Sequence, residues 1–226
     1  MAEVLGSRVD VLSRTAVEDQ IRSFLQLKSE KSCFIVTVNA ELSYQASRQP
    51  ELRAALNSAD LCVPDSTGII WALRRQGIRN AELYPGVELA EWLIRQGFRV
   101  YVLGARAAVL ARLNWPNIVG KQHGFFAGGE EERIIAEIKR LRPQVILAAL
   151  GAGRQELWLA RWRNELPSVL LGVGGAIDVL AGCKARAPQI FRRAGLEWLY
   201  RLLREPSRFF RQLNLLRFAL AVWREK

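Results

Sequence analysis

The sequence predicts an α/β fold in which helices cover both faces of a mostly parallel β-sheet. Short apolar runs, rich in β-branched residues, recur along the chain, and segments with apolar residues at helical spacing lie between them. Strands that alternate with helices are typical of parallel sheets. Of the 226 residues, 50% are hydrophobic and 24% are charged, so one domain with a sizeable core is expected.

The elements follow one another in the order that such a fold requires. The strongest strands are apolar along their whole length, as expected when both faces are buried, and they span residues 33–38, 99–103, 144–150 and 168–173. Two shorter runs, at 61–63 and 117–119, are weaker candidates. The helices between the strands span 15–28, 51–57, 87–95, 107–113, 130–141 and 155–166. The first helix has Thr15 and Glu18 at the spacing of a capping box, which predicts a start at Thr15. Together the elements predict a Rossmann-like domain over residues 1–188.

The alternation stops after Pro188. Two further helical stretches, at 196–204 and 207–224, predict a helical C-terminal appendage over residues 189–226. Residues 184–226 contain 11 Lys and Arg but only 3 Glu, so +8 of the chain's net charge of +11 lies in this part. The rest of the chain is close to neutral, which predicts a local contact with an anionic partner.

The appendage has the features of a membrane-contacting segment. Aromatic residues are interleaved with its arginines, and five apolar residues of the second stretch fall on one arc of the helix: Phe209, Leu213, Leu216, Leu220 and Trp223. This pattern favours an anionic membrane surface over nucleic acid, and a merely solvated helix face is the alternative. The candidate contacts to phosphate or lipid are Arg201, Arg204, Arg208 and Arg211.

Composition excludes several classes of protein. The three cysteines are isolated and odd in number, and His123 is the only histidine. This argues against a disulfide scaffold, a zinc site and most histidine-based catalysis. The N-terminal residues lack the pattern of a secretion signal, and no apolar run approaches about 18 residues, the length that a spanning helix needs. We therefore expect a cytoplasmic protein that is soluble or attached to one face of a membrane.

Asp65 is the carboxylate best placed for chemistry. Ligands of parallel sheets bind where strands end and helices begin, and Asp65 directly follows the short strand that begins at residue 61. A carboxylate in this position can act as a general base toward a substrate hydroxyl. The alternative is that Asp65 or Ser66 only caps the next helix.

Polar or glycine-containing loops follow other strands. Thr37 and Asn39 end the strand at 33–38 and can bind a sugar or a base edge, although Asn also favours turns. Gly104 follows the strand at 99–103. The loop after residue 150 supplies a glycine for close backbone approach, a positive charge and two groups that can bind hydroxyls: Gly151, Arg154, Gln155 and Glu156. The helix that follows can offer free N–H groups to a phosphate.

Motifs for several other ligands are absent. The loop lacks the full GxGxxG pattern because Glu156 occupies the last glycine position, which argues against a nicotinamide dehydrogenase. The chain also has neither a GxxxxGK[ST] phosphate loop nor an Asp-x-Asp pair. An Asp-x-Asp pair would hold a metal–diphosphate complex. Because the chain lacks this pair, we expect no bound metal.

Taken together, the loops resemble those of the WecG/TagA/CpsF family, glycosyltransferase family 26, over about residues 11–206. The resemblance is carried by the order and spacing of short motifs, which are Thr37-Val38-Asn39-Ala40-Glu41, Pro64-Asp65, His123-Gly124-Phe125-Phe126, Gln155-Glu156-x-Trp158, Gly172-Val173-Gly174-Gly175-Ala176-x-Asp178, Arg186-Ala187-Pro188 and Glu205-Pro206.

The resemblance implies an inverting, metal-independent enzyme that needs no cofactor. Members of this family transfer a sugar, often N-acetylmannosamine or its uronic acid, from a UDP-sugar to a sugar on a polyprenyl diphosphate at the cytoplasmic membrane face. By resemblance, Asp65 deprotonates the acceptor hydroxyl, and Thr37 and Asn39 line the same pocket. Gln155 and Glu156 are implied to bind donor hydroxyls or the uridine.

The chain departs from the family pattern in three places. Gly153 stands where Pro is usual, Ser66 stands where Gly is usual, and Pro85-Gly86-Val87-Glu88 replaces a Thr-Gly-x-Asp stretch. Two alternatives therefore stay open: a catalytically inactive, membrane-bound scaffold of the same kind of pathway, and a basic nucleic-acid-binding α/β protein. The sequence also leaves open whether the chain forms a homo-oligomer.

Overall fold

The computed structural model describes residues 1–27, 30–126, 129–193, 195, 197–204 and 209–225. The strands within these residues are β1 (Ala2–Val4), β2 (Ser7–Val9), β3 (Cys33–Val38), β4 (Leu61–Pro64), β5 (Val100–Gly104), β6 (Ile118–Gln122), β7 (Val145–Ala149) and β8 (Val169–Gly172). The helices are α1 (Arg14–Gln26), α2 (Ala40–Arg48), α3 (Pro50–Asn57), α4 (Thr67–Arg75), α5 (Gly86–Arg95), α6 (Ala107–Ala111), α7 (Glu130–Leu141), α8 (Arg154–Trp162), α9 (Ala176–Leu180), α10 (Gln189–Arg193), α11 (Glu197–Arg204) and α12 (Phe209–Arg224).

The central sheet is parallel and six-stranded, in the order β4-β3-β8-β7-β5-β6. This confirms the predicted α/β class and all six predicted strands. Strand β6 lies at the edge of the sheet and is only partly buried. Its apolar pattern is therefore weaker than that of the central strands, as the sequence indicates.

Helices pack on both faces of the sheet because successive strand residues point to opposite sides. Phe34 and Val36 of β3 belong to an apolar cluster that includes residues of α2, α3, α4, α7 and α8. Cys33 and Ile35 belong to a second cluster, which includes residues of α1, α5, α6 and α9. The two clusters are the two halves of the hydrophobic core, and both lie below the loops at the carboxyl edge of the sheet.

The first helix differs from the prediction at its start. Ser13 is the N-cap, and its hydroxyl oxygen accepts a hydrogen bond from the N–H of Ala16 at 3.1 Å. The helix therefore begins at Arg14, and the predicted capping box at Thr15 is wrong. Ser13 lies two residues before Thr15 and offers the same capping chemistry, so the spacing of Thr15 and Glu18 alone could not choose between the two caps.

The hairpin of β1 and β2 and the helix α2 are additional to the predicted elements. Each hairpin strand has only three residues, too few to give a clear alternating pattern. The buried residues of α2 include two alanines and Ser43, so its apolar signal is weak. Ser43 nevertheless ties the two elements together, because its hydroxyl donates to the carbonyl oxygen of Val4 at 2.8 Å.

The C-terminal helices α11 and α12 confirm the two predicted helical stretches. Helix α12 packs on α2 and α4, where Phe218 and Val222 are buried in the core. The apolar residues Leu216, Leu220 and Trp223 lie on its exposed side, at 65%, 56% and 67% exposure. The boundary at residue 188 stays a prediction. Within the described residues, no helix combines the length and apolar character needed to cross a bilayer.

Candidate active site

The candidate site lies along the carboxyl edge of the sheet, where the loops after the parallel strands meet. The connection from β5 runs outward to the edge strand β6, whereas the connection from β7 runs inward to β8. The adjacent ends of β5 and β7 therefore form a topological switch point, the place where open α/β sheets bind ligands. Gly104, the last residue of β5, and Gly151, in the loop after β7, lie at this point, and the β3 and β4 loops lie further along the same edge.

Asp65 is held at this edge and does not cap the following helix. Ser66 is the N-cap of α4, and its hydroxyl oxygen accepts hydrogen bonds from the N–H groups of Ile69 and, at 3.1 Å, Ala40. The half-buried Asp65 carboxylate is instead held through Oδ1, which accepts from the N–H of Gly86 at 2.6 Å. The helix cap is therefore Ser66, and the Asp65 carboxylate is bonded to the start of α5.

Thr37 and Asn39 lie next to Asp65. The backbone N–H of Asp65 donates to the carbonyl oxygen of Val38 at 2.8 Å, so the ends of β3 and β4 are tied together. Asn39 has two functions in this loop: its Oδ1 caps α2 by accepting from the N–H of Leu42 at 2.9 Å, and its Nδ2 is 3.5 Å from Asp65 Oδ2. The structure therefore uses Asn39 as a helix cap rather than in a turn, and places its amide beside the carboxylate.

The Thr37 side chain is buried and packs against the start of α5. An added Cβ at Gly86 would lie 3.0 Å from Thr37 Oγ1, so a glycine is needed for this close approach. Thr37, Asn39, Asp65 and Gly86 thus form one polar group at the ends of β3 and β4. The sequence predicts that Thr37, Asn39 and Asp65 line one pocket. It shows Gly86 only within the Pro85–Glu88 stretch that departs from the family pattern.

Gln155 and Glu156 are buried at 5% and 4% exposure and hold two loops together. The Glu156 carboxylate accepts from the N–H of Gly153 at 2.7 Å and from Nε2 of Gln155 at 2.8 Å. Gln155 Oε1 accepts from the N–H of Gly174 at 3.0 Å, which joins the β7 loop to the β8 loop. Burial raises the pKa of the Glu156 carboxyl above its usual value, and the hydrogen bonds from Gln155 and the backbone oppose this effect.

The N-terminus of α8 therefore offers fewer free N–H groups than the sequence suggested. The N–H of Gly153 donates to Glu156, and the N–H of Gln155 donates to the carbonyl oxygen of Gly151 at 3.0 Å. Arg154 is exposed in the same turn, and its guanidinium carbon lies 5.5 Å from the centre of the Phe126 ring. A phosphate near this loop would meet the cation of Arg154 rather than a row of free backbone donors.

The two glycines at the switch point have different surroundings. Gly104 has a φ of +116°, and an added Cβ would lie 2.4 Å from the backbone of Ala149 on the neighbouring strand. Gly151 has a φ of +97°, but none of the residues that the structure describes has an atom within 4 Å of an added Cβ. Gly104 is therefore required for strand packing, whereas the backbone of Gly151 faces open space in which a ligand can approach.

One charged group near Asp65 was not among the predicted site residues. Glu88 lies in the first turn of α5, where Arg14 Nη1 is 2.7 Å from its Oε2 and Arg186 Nη2 contacts its Oε1. In the sequence, Glu88 stands out only within the Pro85–Glu88 stretch that departs from the family pattern. Arg186 stands out only within the Arg186-Ala187-Pro188 motif. Nothing in their spacing connects residues 14, 88 and 186, which are distant along the chain.

The predicted phosphate-contacting arginines lie in the appendage. Arg204 is exposed at the end of α11, Arg201 lies in α11 and Arg211 lies in α12. Arg208 lies outside the described residues. Within the part of the chain that the structure describes, no group of three or more His, Cys, Asp and Glu side chains could hold a metal ion.

A parallel sheet whose carboxyl edge gathers a carboxylate, a threonine, an amide and the accessible backbone of Gly151 has the layout of an α/β enzyme that binds substrates at this edge. The Glycosyl transferase WecG/TagA/CpsF family matches over residues 2–226, and the chain belongs to this family. It is therefore a glycosyltransferase, and the resemblance seen in the sequence is confirmed.

Two relatives from Staphylococcus aureus are similar over most of their length. The chain is 31% identical over 220 residues to the N-acetylglucosaminyldiphosphoundecaprenol N-acetyl-beta-D-mannosaminyltransferase of strain MW2, an alignment covering 92% of this chain and 87% of the relative. It is 32% identical over 212 residues to the protein of the same description from strain NCTC 8325 / PS 47, covering 89% and 84%.

Proposed function

We propose that this chain transfers N-acetylmannosamine, or a related hexose, from a UDP-sugar to a polyprenyl-diphosphate-linked sugar in cell-surface polysaccharide synthesis. The names of the two relatives support the sugar and the lipid-linked acceptor. The observation that carries the proposal for the chemistry is the placement of Asp65. Ser66 caps α4, whereas the Asp65 carboxylate lies beside Thr37 and Asn39 at the carboxyl edge of the sheet, where parallel sheets bind their ligands.

The proposed reaction is a single displacement with inversion. The Asp65 carboxylate accepts the proton of the acceptor hydroxyl as the hydroxyl oxygen attacks the anomeric carbon of the donor. The bond from that carbon to the diphosphate breaks, and UDP leaves with the electron pair. The N–H of Gly86 bonds to Oδ1 of the carboxylate and Asn39 Nδ2 lies 3.5 Å from Oδ2, and these two contacts orient the carboxylate for the acceptor.

The diphosphate of the donor is proposed to meet cationic side chains. Because Glu156 already occupies the N–H of Gly153, the exposed Arg154 is the better candidate at the β7 loop. The arginines of the appendage, among them Arg204, are proposed to supply further positive charge to the lipid diphosphate. We propose no metal or cofactor, since the sequence lacks the Asp-x-Asp pair that would hold a metal–diphosphate.

The chain is proposed to bind peripherally to the inner face of the cell membrane. Helix α12 exposes Leu216, Leu220 and Trp223 in one row, and Arg217 beside them is also exposed. A helix with apolar and aromatic residues on one side and arginines at its flanks suits the interface of an anionic bilayer. This attachment would bring the site to the lipid-linked acceptor.

The test is a transfer assay with the purified chain, UDP-N-acetylmannosamine and a short-chain polyprenyl-diphosphate-linked N-acetylglucosamine. We expect a disaccharide product of inverted anomeric configuration, formed equally with and without EDTA. UDP-N-acetylglucosamine serves as the donor control. Loss of activity in EDTA, with recovery on adding Mn²⁺, would contradict the metal-independent part of the proposal. Thermal stabilisation by UDP without transfer from any of a panel of UDP-sugars would favour the inactive scaffold.

A further inference from the structure

Glu88 is held from two sides by arginines that come from distant parts of the chain. Arg14 at the start of α1 pairs with Glu88 Oε2, and Arg186, just before α10, pairs with Oε1. The Glu88 and Arg186 side chains are 24% and 21% exposed, so this pair is less screened by solvent than an ordinary surface ion pair. Charge-assisted hydrogen bonds to both oxygens fix the position of the carboxylate.

Glu88 lies two residues after Gly86, whose N–H bonds to the proposed base Asp65. The N–H of Glu88 donates to the carbonyl oxygen of Pro85 at 2.8 Å, which closes the first turn of α5. Within this turn, the N–H of Gly86 donates to Asp65 Oδ1 at 2.6 Å. A displacement of Glu88 would therefore move the donor that orients Asp65.

Arg14 fixes the same turn from its other end. Its Nε and Nη2 donate to the carbonyl oxygen of Leu83 at 2.9 Å and 2.6 Å, while its Nη1 bonds to Glu88. One guanidinium thus joins a residue before Gly86 to a residue after it. The N–H of Tyr84 also donates to the carbonyl oxygen of Pro64 at 2.9 Å, which fastens this segment to the end of β4 next to Asp65.

Arg186 depends on Glu88 for its charge compensation. Its Nε is buried and has no hydrogen-bond partner among the described residues. If Glu88 lost its charge, the partly buried guanidinium would lose the carboxylate that now compensates it, and an uncompensated charge there is costly. We expect the chain around Arg186 and the start of α5 to rearrange in response.

We propose that Glu88 is a positioning residue for catalysis: clamped by Arg14 and Arg186, it holds the Gly86 N–H on Asp65 and so keeps the base aimed at the acceptor. The proposal rests on the proposed function, in which Asp65 is the base. It also explains the departure at Pro85–Glu88. Glu88 is one methylene longer than the Asp that is usual in the family, and its carboxylate lies between the two arginines.

The test compares Glu88→Gln with Glu91→Gln. Glu91 is a matched control because it lies on the same helix and pairs with Arg95 at 2.6 Å, but that pair is exposed, and among the described residues Glu91 makes no hydrogen bond to Asp65 or Gly86. We expect Glu88→Gln to lower kcat by about tenfold or more, because a misplacement of about 1 Å can cost on the order of a hundredfold. The KM for the donor should stay within about twofold, Glu88→Asp should recover part of kcat, and Glu91→Gln should match the parent.

A second readout does not depend on turnover. The amide proton of Gly86 reports its hydrogen bond to Asp65, so we expect Glu88→Gln to shift this resonance upfield in ¹H–¹⁵N spectra and to speed its exchange with solvent. Arg186→Met should do the same, with Arg186→Lys intermediate. If the parent shows no transfer, the proposed function fails, and the Gly86 resonance alone decides whether Glu88 holds the bond.

Two results would overturn the inference. The first is an unchanged Gly86 resonance in folded Glu88→Gln, which would show that Glu88 does not hold the bond. The second is a lower melting temperature with kcat unchanged in Glu88→Gln, which would make the clamp a purely structural feature.

Discussion

Asp65 and Ser66 are neighbours of similar capping ability, yet they have different tasks in the structure. Both residue types are good helix N-caps, so the sequence alone leaves their roles interchangeable. Packing decides between them, because the Ser66 hydroxyl reaches the N–H groups of both α4 and Ala40. The Asp65 carboxylate instead bonds to the N–H of Gly86, with Asn39 Nδ2 3.5 Å from its second oxygen.

Gly104 and Gly151 offer a matched pair of substitutions. Both have positive φ, so alanine at either position strains the backbone, but only at Gly104 does the new Cβ meet a neighbouring strand, at 2.4 Å. We expect Gly104→Ala to cost about 1–3 kcal/mol more stability than Gly151→Ala, the usual penalty of overpacking. Urea denaturation of the two variants measures the difference. Equal losses would contradict the close approach of β5 and β7.

At the scale of elements, the central strands are predictable because they are buried on both faces. The strands β3, β5, β7 and β8 are almost entirely apolar, and the shorter β4 shares that character over four residues. The hairpin of β1 and β2 and the helix α2 could not be predicted this way. Their positions depend on contacts between distant residues, such as the Ser43 hydroxyl on the Val4 carbonyl, and not on local periodicity.

We expect Glu156 to make the stability of the chain depend on pH. Because burial raises the pKa of this carboxyl, the folded chain keeps a proton that the unfolded chain loses above its ordinary pKa near 4.5. The stabilisation is complete below that value and is lost as pH rises through the raised pKa. Glu156→Gln removes this titrating group and serves as the reference. We expect the unfolding free energy of the parent, minus that of the variant, to fall by up to about 1.4 kcal/mol per pH unit above pH 4.5.

This expectation is checked by urea denaturation of the parent and of Glu156→Gln between pH 4.5 and 8. The other titrating groups are common to both proteins, so the difference between their unfolding free energies isolates Glu156. A difference that stays constant over this range would mean that the carboxyl titrates normally in the folded chain.

At the scale of the whole molecule, α12 belongs to the core on one side and faces solvent on the other. Phe218 is 2% exposed and lies near Gly68 of α4, whereas Leu220 is 56% exposed. We expect Phe218→Ala to cost about 3–5 kcal/mol of stability and Leu220→Ala to stay within about 0.5 kcal/mol of the parent. Chemical denaturation measures both. Similar small losses would show that α12 does not pack on the body as described.

The site itself is partly readable from the sequence. The loops after β3 and β4 could be predicted, since parallel strands place Thr37, Asn39 and Asp65 at one edge of the sheet. The clamp on Glu88 could not, because its arginines lie 74 and 98 residues away and no local pattern links them. Likewise, the burial of Gln155 and Glu156 follows from the packing of the β7 loop against the β8 loop.

The central claim is that Asp65 removes the proton from the acceptor hydroxyl, and Asp65→Asn with Ser66→Ala as control tests it most directly. An asparagine can still accept the Gly86 N–H, so the fold should persist while kcat falls by about a hundredfold or more, the usual share of a general base. Ser66→Ala should lose about 1 kcal/mol of stability as a lost cap but keep its kcat. Near-normal turnover by Asp65→Asn would contradict the account.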